Sequence, residues 1–212
     1  MSIIVQKFGG TSVADIKKIN NIATIVAKAQ EAGNSVIVVV SAMAGVTNQL
    51  ASYCADISSL DTKENLAEYD VALASGEIVT AALLALALQQ KNIMSRSLLS
   101  WQIPIKTDDR FSKAIISNIN NDVLRNCMEN KIVPVIAGFQ GITEDGKVTT
   151  LGRGGSDTTA VAIAASINAD QCDIYTDVDG VYNADPRLIH NAKKIDILSY
   201  EEMLEFASVG AK

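Results

Sequence analysis

"SVIVVVS", residues 35–41, sets five apolar residues side by side between two serines. A strand with one wet face alternates apolar and polar residues, whereas a strand covered on both faces does not. The run therefore reads as an interior strand of a parallel sheet with helices on either side. Upstream, "ADIKKINNIATIVAKAQEAG" (14–33) has helical spacing. Ile16, Ile19, Ile22, Ala23 and Val26 share one face, and Gly33 stands where such a helix would stop. Before it, "SIIVQKF" (2–8) reads as a strand. Downstream, a helix is expected from Thr47 and another over about 64–91. "IMSRSLL" (93–99) reads as a strand, "SKAIISNINNDVLRNCMEN" (112–130) as a helix, and "IVPVIAGF" (132–139) as a strand in spite of Pro134. "GITEDGKVTTL" (141–151) reads as a hairpin turning at Glu144–Gly146. "SDTTAVAIAASI" (156–167) follows as a helix and "DQCDIYTDV" (170–178) as a strand. Repeated β-α-β units predict an α/β fold, a three-layer α/β/α sandwich with a mainly parallel central sheet plus a β-hairpin. No linker or repeat interrupts the pattern, so residues 1–212 are read as one domain. "SYEEMLEFASVGAK" (199–212) reads as a capped helix approaching a further element, so the domain is expected to be incomplete at its C-terminus.

Composition bounds the function. The 212 residues are 48% hydrophobic and 20% charged, with a net charge of −6, which is globular and acidic. An acidic balance argues against nucleic acid or an anionic membrane as the main partner. The apolar run "VTAALLALAL" (79–88) reads as a buried helix, being too short to cross a bilayer. Three scattered cysteines without a CxxC fit a reducing compartment, and a cytoplasmic location is expected. The start "MSIIVQKFGG" turns polar at Gln6 and Lys7 and does not read as a signal peptide. With His190 the sole histidine, no zinc–histidine cluster can form, and its loop with Asn191 and Lys193 reads as exposed rather than as part of a Ser-His-Asp triad.

In open parallel sheets, ligands bind beyond the carboxyl ends of strands. Four such ends carry unusual residues. "KFGGTS" places Lys7 before Gly9 and Gly10, whose bare backbone admits a close ligand; a tight turn with a snorkelling lysine reads equally well. "SAMAGVTNQL" (41–50) offers the hydroxyls of Ser41 and Thr47, the latter also suited to capping a helix. In "LGRGGSDTTA" (151–160), Gly152, Gly154 and Gly155 bare the backbone, and Arg153 carries a fork suited to a carboxylate or phosphate. Ser156 and Asp157 stand at the helix start. An acid there would repel a phosphate, so Asp157 is expected to face a lysine, Mg²⁺ or a substrate ammonium; the plainer alternative makes it an N-cap and Arg153 a surface residue. In "YTDVDGVYNADPR" (175–187), Thr176, Asp177, Asp179 and Gly180 form a polar turn, with Tyr182 and Arg187 able to stack on a base and hold phosphates; an ordinary Asp/Gly turn is the rival. Two other motifs fail. "GITEDGKV" lacks the P-loop Ser/Thr and carries two acids where phosphates would lie. "YTDVDG" would put a tyrosine at the first calcium-ligand position.

Taken in order, "KFGGTSV", "VVSAMAGVTNQL", "ASGE", "AGFQG", "LGRGGSDTTA", "YTDVDGVYNADPR" and "SYEEMLEFASVGAK" span nearly the whole chain. The set resembles the aspartokinases of the amino-acid kinase family, in their compact monofunctional form. The resemblance implies ATP- and Mg²⁺-dependent phosphorylation of the side-chain carboxylate of L-aspartate to 4-phospho-L-aspartate, the first step toward lysine, threonine and methionine. It implies that Lys7 stabilises the transferring phosphoryl group and Asp157 orients that lysine. Arg153 would hold the substrate α-carboxylate and Glu77 its ammonium, with Thr47, Phe139, Gly154, Gly155 and Ser156 completing the pocket. Lys7, Gly9, Gly10 and Ser41 would line the phosphate path. Thr176, Asp177, Tyr182, Asp185, Arg187 and Lys212 would hold the nucleotide. No metal-ligating side chain is assigned. The regulatory ACT modules of the family are absent from these residues, and a homo-oligomer is expected of the full-length protein.

Elementary chemistry agrees. A substrate carboxylate with a pKa of about 3.9 is already ionised at neutral pH, so no general base is required. Phosphoryl transfer needs alignment and charge neutralisation, which lysine, Mg²⁺ and glycine-rich backbone supply. Two rivals stand beside this reading: a related kinase acting on glutamate, and a non-catalytic nucleotide- or amino-acid-binding subunit. Glu77 with Arg153 favours a free α-amino acid over acetylglutamate, carbamate or UMP.

Overall fold

The computed structural model describes residues 2–178, 180–185, 188–199, 201–203 and 205. In chain order, the first elements are β1 (Ile3–Phe8), α1 (Ile16–Glu31), β2 (Ser35–Val40), α2 (Val46–Ile57) and α3 (Lys63–Gln89). Then come β3 (Ser95–Leu98), β4 (Ile105–Thr107), β5 (Ile116–Ile119), α4 (Asp122–Glu129), β6 (Val133–Ala137), β7 (Gln140–Ile142) and β8 (Val148–Thr150). α5 (Gly155–Ile167), β9 (Gln171–Tyr175), β10 (Val181–Tyr182) and β11 (Lys194–Ile195) complete the series. Two compact units result, Met1–Thr176 and Asp177–Lys212.

In the first unit, five strands form a parallel sheet in the order β3-β6-β2-β1-β9. β2 lies at its centre, and Val36 to Val40 are all buried. The side chains of β2 divide by the strand period of two. Val36, Val38 and Val40 pack with Ile19, Ile22, Ala23 and Val26 of α1 and with Leu84 and Leu88 of α3. Ile37 and Val39 pack with Ala160, Ile163 and Ile167 of α5 and Leu124 of α4. Helices thus cover both faces, giving the three layers. Pro134 is tolerated in β6 because the pairing with β2 begins only at Val135, beyond the missing N–H.

A second sheet runs β5-β4-β7-β8, antiparallel except for the β4–β7 pair. Its β7–β8 arm is the expected hairpin, closed at Gly146 with φ +83° and by Thr143 N–H donating to Lys147 O at 2.9 Å. Three expectations change. Residues 112–130 are not one helix: Ile116–Ile119 pair with β4, and only Asp122–Glu129 are helical. The pairing register places Ile119 opposite buried Ile105, and this contact overrides a weak helical period. Ile16, the first residue of α1, is 56% exposed, and the buried face of the helix begins at Ile19. The apolar run 79–88 belongs to the 27-residue α3, which is long and apolar enough by length and composition to cross a membrane. Its residues Leu73, Ala81, Leu84 and Leu88 are nonetheless buried in the molecule, as in a core helix.

In the second unit, β10 and β11 pair antiparallel, and Ser199 and Glu202 form a capping box. Ser199 N–H donates to Glu202 Oε2 at 2.7 Å, and Glu202 N–H to Ser199 Oγ at 3.1 Å. His190 is exposed.

Candidate active site

The carboxyl end of the parallel sheet carries a cleft of about 340 Å³. Five segments build it: the end of β1 with its turn, the loop after β2 running into α2, the middle of α3, the residues just after β6 and the glycine loop entering α5.

Lys7 is the penultimate residue of β1 and, with Val5, faces the α5 layer. Its side chain is 8% exposed, and Nζ lies 2.6 Å from Asp157 Oδ1 in the first turn of α5. The contact is a close ion pair rather than an aligned hydrogen bond, because Oδ1 has no partner in hydrogen-bond geometry among the described residues. Asp157 is half-exposed and does not cap the helix; Gly154, at φ +73°, occupies the N-cap position. Beyond Lys7 the backbone bends sharply. Gly9 N–H donates to Tyr175 O at 3.1 Å, and a Cβ on Gly10 would sit 2.9 Å from Ala42 O. Gly10 is therefore required by the close approach of the two loops.

The loop after β2 turns into α2 at Gly45, with φ +84°. This glycine, and not Thr47, is the N-cap; no side chain among the described residues caps α2, and Thr47 lies within its first turn, lining the cleft. A left-handed cap of this kind selects glycine over a hydroxyl residue. Ser41 also lines the cleft, and its N–H donates to Phe8 O at 3.1 Å.

Glu77 projects from the middle of α3 and is 3% exposed. Its Oε1 accepts the Ala42 N–H at 2.9 Å, while Oε2 is buried with no hydrogen-bond partner among the described residues. Burial pushes this carboxyl up to about 7, against the opposing hydrogen bond from Ala42. A buried acceptor left unmatched costs about 1–3 kcal/mol and marks a position where a donor belongs.

Phe139 lines the cleft at φ +69°, a conformation disfavoured for a bulky side chain. Two bonds hold it there. Its N–H donates to Thr159 Oγ1 at 3.1 Å, and its carbonyl accepts from Leu151 N–H at 2.9 Å. Gly155 is packed beneath the ring: a Cβ there would lie 2.7 Å from Phe139 Cδ2. Arg153 sits between Gly152 (φ +76°) and Gly154 (φ +73°), is exposed, and has no carboxylate partner among the described residues. Ser156 is buried on the cleft wall.

The structure thus gathers Lys7, Asp157, Glu77, Arg153, Thr47 and Phe139 around one cavity, together with Gly10, Ser41 and residues 154–156. Gly9 adjoins it in sequence. Thr176 follows β9 at the end of the first unit. Asp177, Tyr182 and Asp185 belong to the second unit. Arg187, Lys212 and Asp179 lie outside the described residues. Sequence reasoning missed Ala42, whose backbone N–H orients Glu77, and the cleft-lining Asn48. An alanine's main-chain role leaves no mark in its side chain; Asn48, beside Thr47, was open to recognition as a polar residue at a helix start.

Residues 2–212 match the model of the Amino acid kinase family. The chain belongs to the amino acid kinase family. Among curated members of this kinase family, it is 58% identical over 212 residues to an aspartokinase of Rickettsia prowazekii, covering 100% of this chain and 48% of that protein. Among solved kinases of the family, the aspartate kinase of Synechocystis superposes with a TM-score of 0.86 at 41% identity, over 100% of this chain and 34% of that one. E. coli aspartokinase III in complex with aspartate and ADP gives a TM-score of 0.86 at 29% identity, over 99% and 57% respectively. The chain spans about half the length of the curated relatives it matches.

Proposed function

We propose that this chain carries an aspartate kinase site, transferring the γ-phosphoryl group of ATP to the side-chain carboxylate of L-aspartate. The observation that carries the reading is the Oε2 of Glu77 in the same cleft as the cation of Arg153, both without a partner among the described residues. Together they offer an acceptor for an α-ammonium and a fork for an α-carboxylate. The likeness to aspartokinases, one of them solved with aspartate and ADP, supports aspartate over glutamate.

In this reading, Glu77 and Arg153 orient the amino acid while its side-chain carboxylate stays free to attack. A carboxylate oxygen bonds to the γ-phosphorus, the bond to the bridging oxygen breaks, and ADP leaves with 4-phospho-L-aspartate formed. Lys7, pinned by Asp157, places a fixed positive charge where negative charge gathers on the phosphoryl oxygens. Gly9, Gly10 and Ser41 are assigned to the phosphates; Thr176, Asp177, Tyr182, Asp185, Arg187 and Lys212 are assigned to the nucleotide by the resemblance alone. The acidic side chains of the described residues form no metal-caging cluster. Mg²⁺ would be held chiefly by nucleotide phosphates and water, with the half-exposed Asp157 a cleft carboxylate able to meet it. The ion would neutralise phosphate charge.

Hydroxylamine trapping tests the reading, since it converts an acyl phosphate into a stable hydroxamate. With ATP and Mg²⁺, aspartyl hydroxamate is expected above a glutamate control. Glutamyl hydroxamate in its place would overturn the substrate, and no hydroxamate from either amino acid, in this chain or in a longer one, would overturn the kinase.

A further inference from the structure

Asp70 is completely buried, yet no cation is paired with it among the described residues. Its two oxygens are filled by other donors. Thr150 N–H reaches Oδ2 at 2.7 Å, and Thr150 Oγ1 donates to Oδ1 at 2.7 Å. Ser112 N–H straddles both oxygens at 3.0 and 2.9 Å. A carboxylate can accept all of these, whereas an amide would turn two N–H donors toward the same groups.

What Asp70 holds lies next to the cleft. Thr150 ends β8, three residues before Arg153. Ser112 is held at φ +68°, and its carbonyl oxygen lies where a Cβ on Gly152 would come within 3.1 Å. Ala114 N–H donates to Thr150 O at 2.9 Å, completing a clasp between residues 112–114 and the start of the glycine loop. The same helix supplies Glu77 seven residues later. Seven residues are two turns, so both acids stand on one buried face of α3. Glu77 fixes the loop after β2 through Ala42, and Asp70 fixes the loop before α5 through Thr150. One rigid helix therefore sets the spacing between the two loops that line the amino-acid end of the cleft.

We propose that Asp70 is a positioning residue for amino-acid recognition, acting through Thr150 and Ser112 on the loop that carries Arg153. The proposal rests on the reading of Arg153 and Glu77 as contacts to a free amino acid. A structural knot and a positioning device differ in what they disturb. A knot affects stability alone; a positioning residue changes amino-acid affinity while leaving the nucleotide's intact.

Thr150→Val keeps the shape and removes one donor to Asp70; Thr150→Ser restores the hydroxyl; Asp70→Asn replaces the acceptor. Calorimetric titration with L-aspartate and with ADP, alongside hydrogen exchange of residues 151–157, reads both consequences. Thr150→Val and Asp70→Asn are expected to weaken aspartate binding on the order of 10–100-fold. ADP affinity is expected to stay within about twofold, and exchange is expected to quicken in 151–157 while β2 keeps its protection. Thr150→Ser is expected to return toward wild type. Unchanged exchange in 151–157 for both variants would overturn the proposal, whatever ligand the cleft takes. Faster exchange in a protein whose wild type binds no aspartate would keep Asp70 as the loop's anchor and sink the aspartate reading. Equal loss of aspartate and ADP affinity would demote Asp70 to a folding contact.

Discussion

Arg153 and Glu77 make the two sharpest predictions, because each is a single charge with a single expected partner. Arg153 is exposed in the free protein, so its loss removes a charge-assisted contact without leaving a buried orphan. Arg153→Ala is expected to raise the KM for aspartate by about 30-fold, matching about 2 kcal/mol, with kcat much less affected. An unchanged aspartate KM in steady-state kinetics would remove Arg153 from the site. Glu77 is buried, and its carboxyl is pushed up to about 7 by that burial. An acid with a raised pKa stabilises the fold fully below its unfolded value and loses that contribution as pH climbs through the folded one. The free protein should therefore weaken between about pH 4.5 and 7, by on the order of 3 kcal/mol through this group. Glu77→Gln should abolish this part of the slope in urea titrations compared across that range. Aspartate binding has the opposite sign: the ammonium needs ionised Glu77, so affinity should rise from about pH 6 to about pH 8. Calorimetry in buffers of different ionisation heats should record proton release on binding near neutrality, and no such release would contradict Glu77 as the ammonium's partner.

Helix ends decide several local conformations, and only some are visible in residue type. α1 finishes at Gly33, φ +88°, where an added Cβ would meet nothing within 4 Å. Gly33→Ala should thus cost only backbone strain, about 1–2 kcal/mol in urea denaturation, with aspartate KM unaltered. This stop was legible because glycine is the residue such a turn favours. α4 ends similarly at Lys131, φ +56°, and the lysine gives no such signal. The N-cap of α2 was misread for a related reason. Thr47 looks like a capping hydroxyl, but the loop after β2 reaches the helix through a left-handed residue, and Gly45 supplies it. β5 was hidden inside an apparent helix because strand pairing depends on β4, whose Ile105 meets Ile119 and Thr107 meets Ile116, and not on local period.

At the scale of the molecule, two apolar layers clamp the parallel sheet, and the cleft sits beyond its carboxyl edge. Stability and recognition are therefore separable. Leu84 belongs to the layer of α1 and α3 and is fully buried. Leu84→Ala should lower stability by about 2–5 kcal/mol, read as a lower urea midpoint with an unchanged slope. Aspartate KM should stay near that of the wild type under conditions where the variant remains folded. A large KM change would mean that this layer transmits strain into the cleft.

The sequence by itself determined the alternation of strands and helices, because period and β-branched runs are local properties of the chain. It also marked Lys7, Gly10, Arg153 and Asp157 as unusual, since bare glycines beside opposite charges have few structural uses. Only the tertiary structure decided that Lys7 and Asp157, 150 residues apart, meet at 2.6 Å. It alone revealed the unmatched oxygen of Glu77 and the three-donor clasp on Asp70. Both acids look alike in an apolar helix; what separates them is which backbone N–H groups the rest of the chain brings within reach. Such pairings depend on packing between distant segments, and no local pattern of residues encodes them.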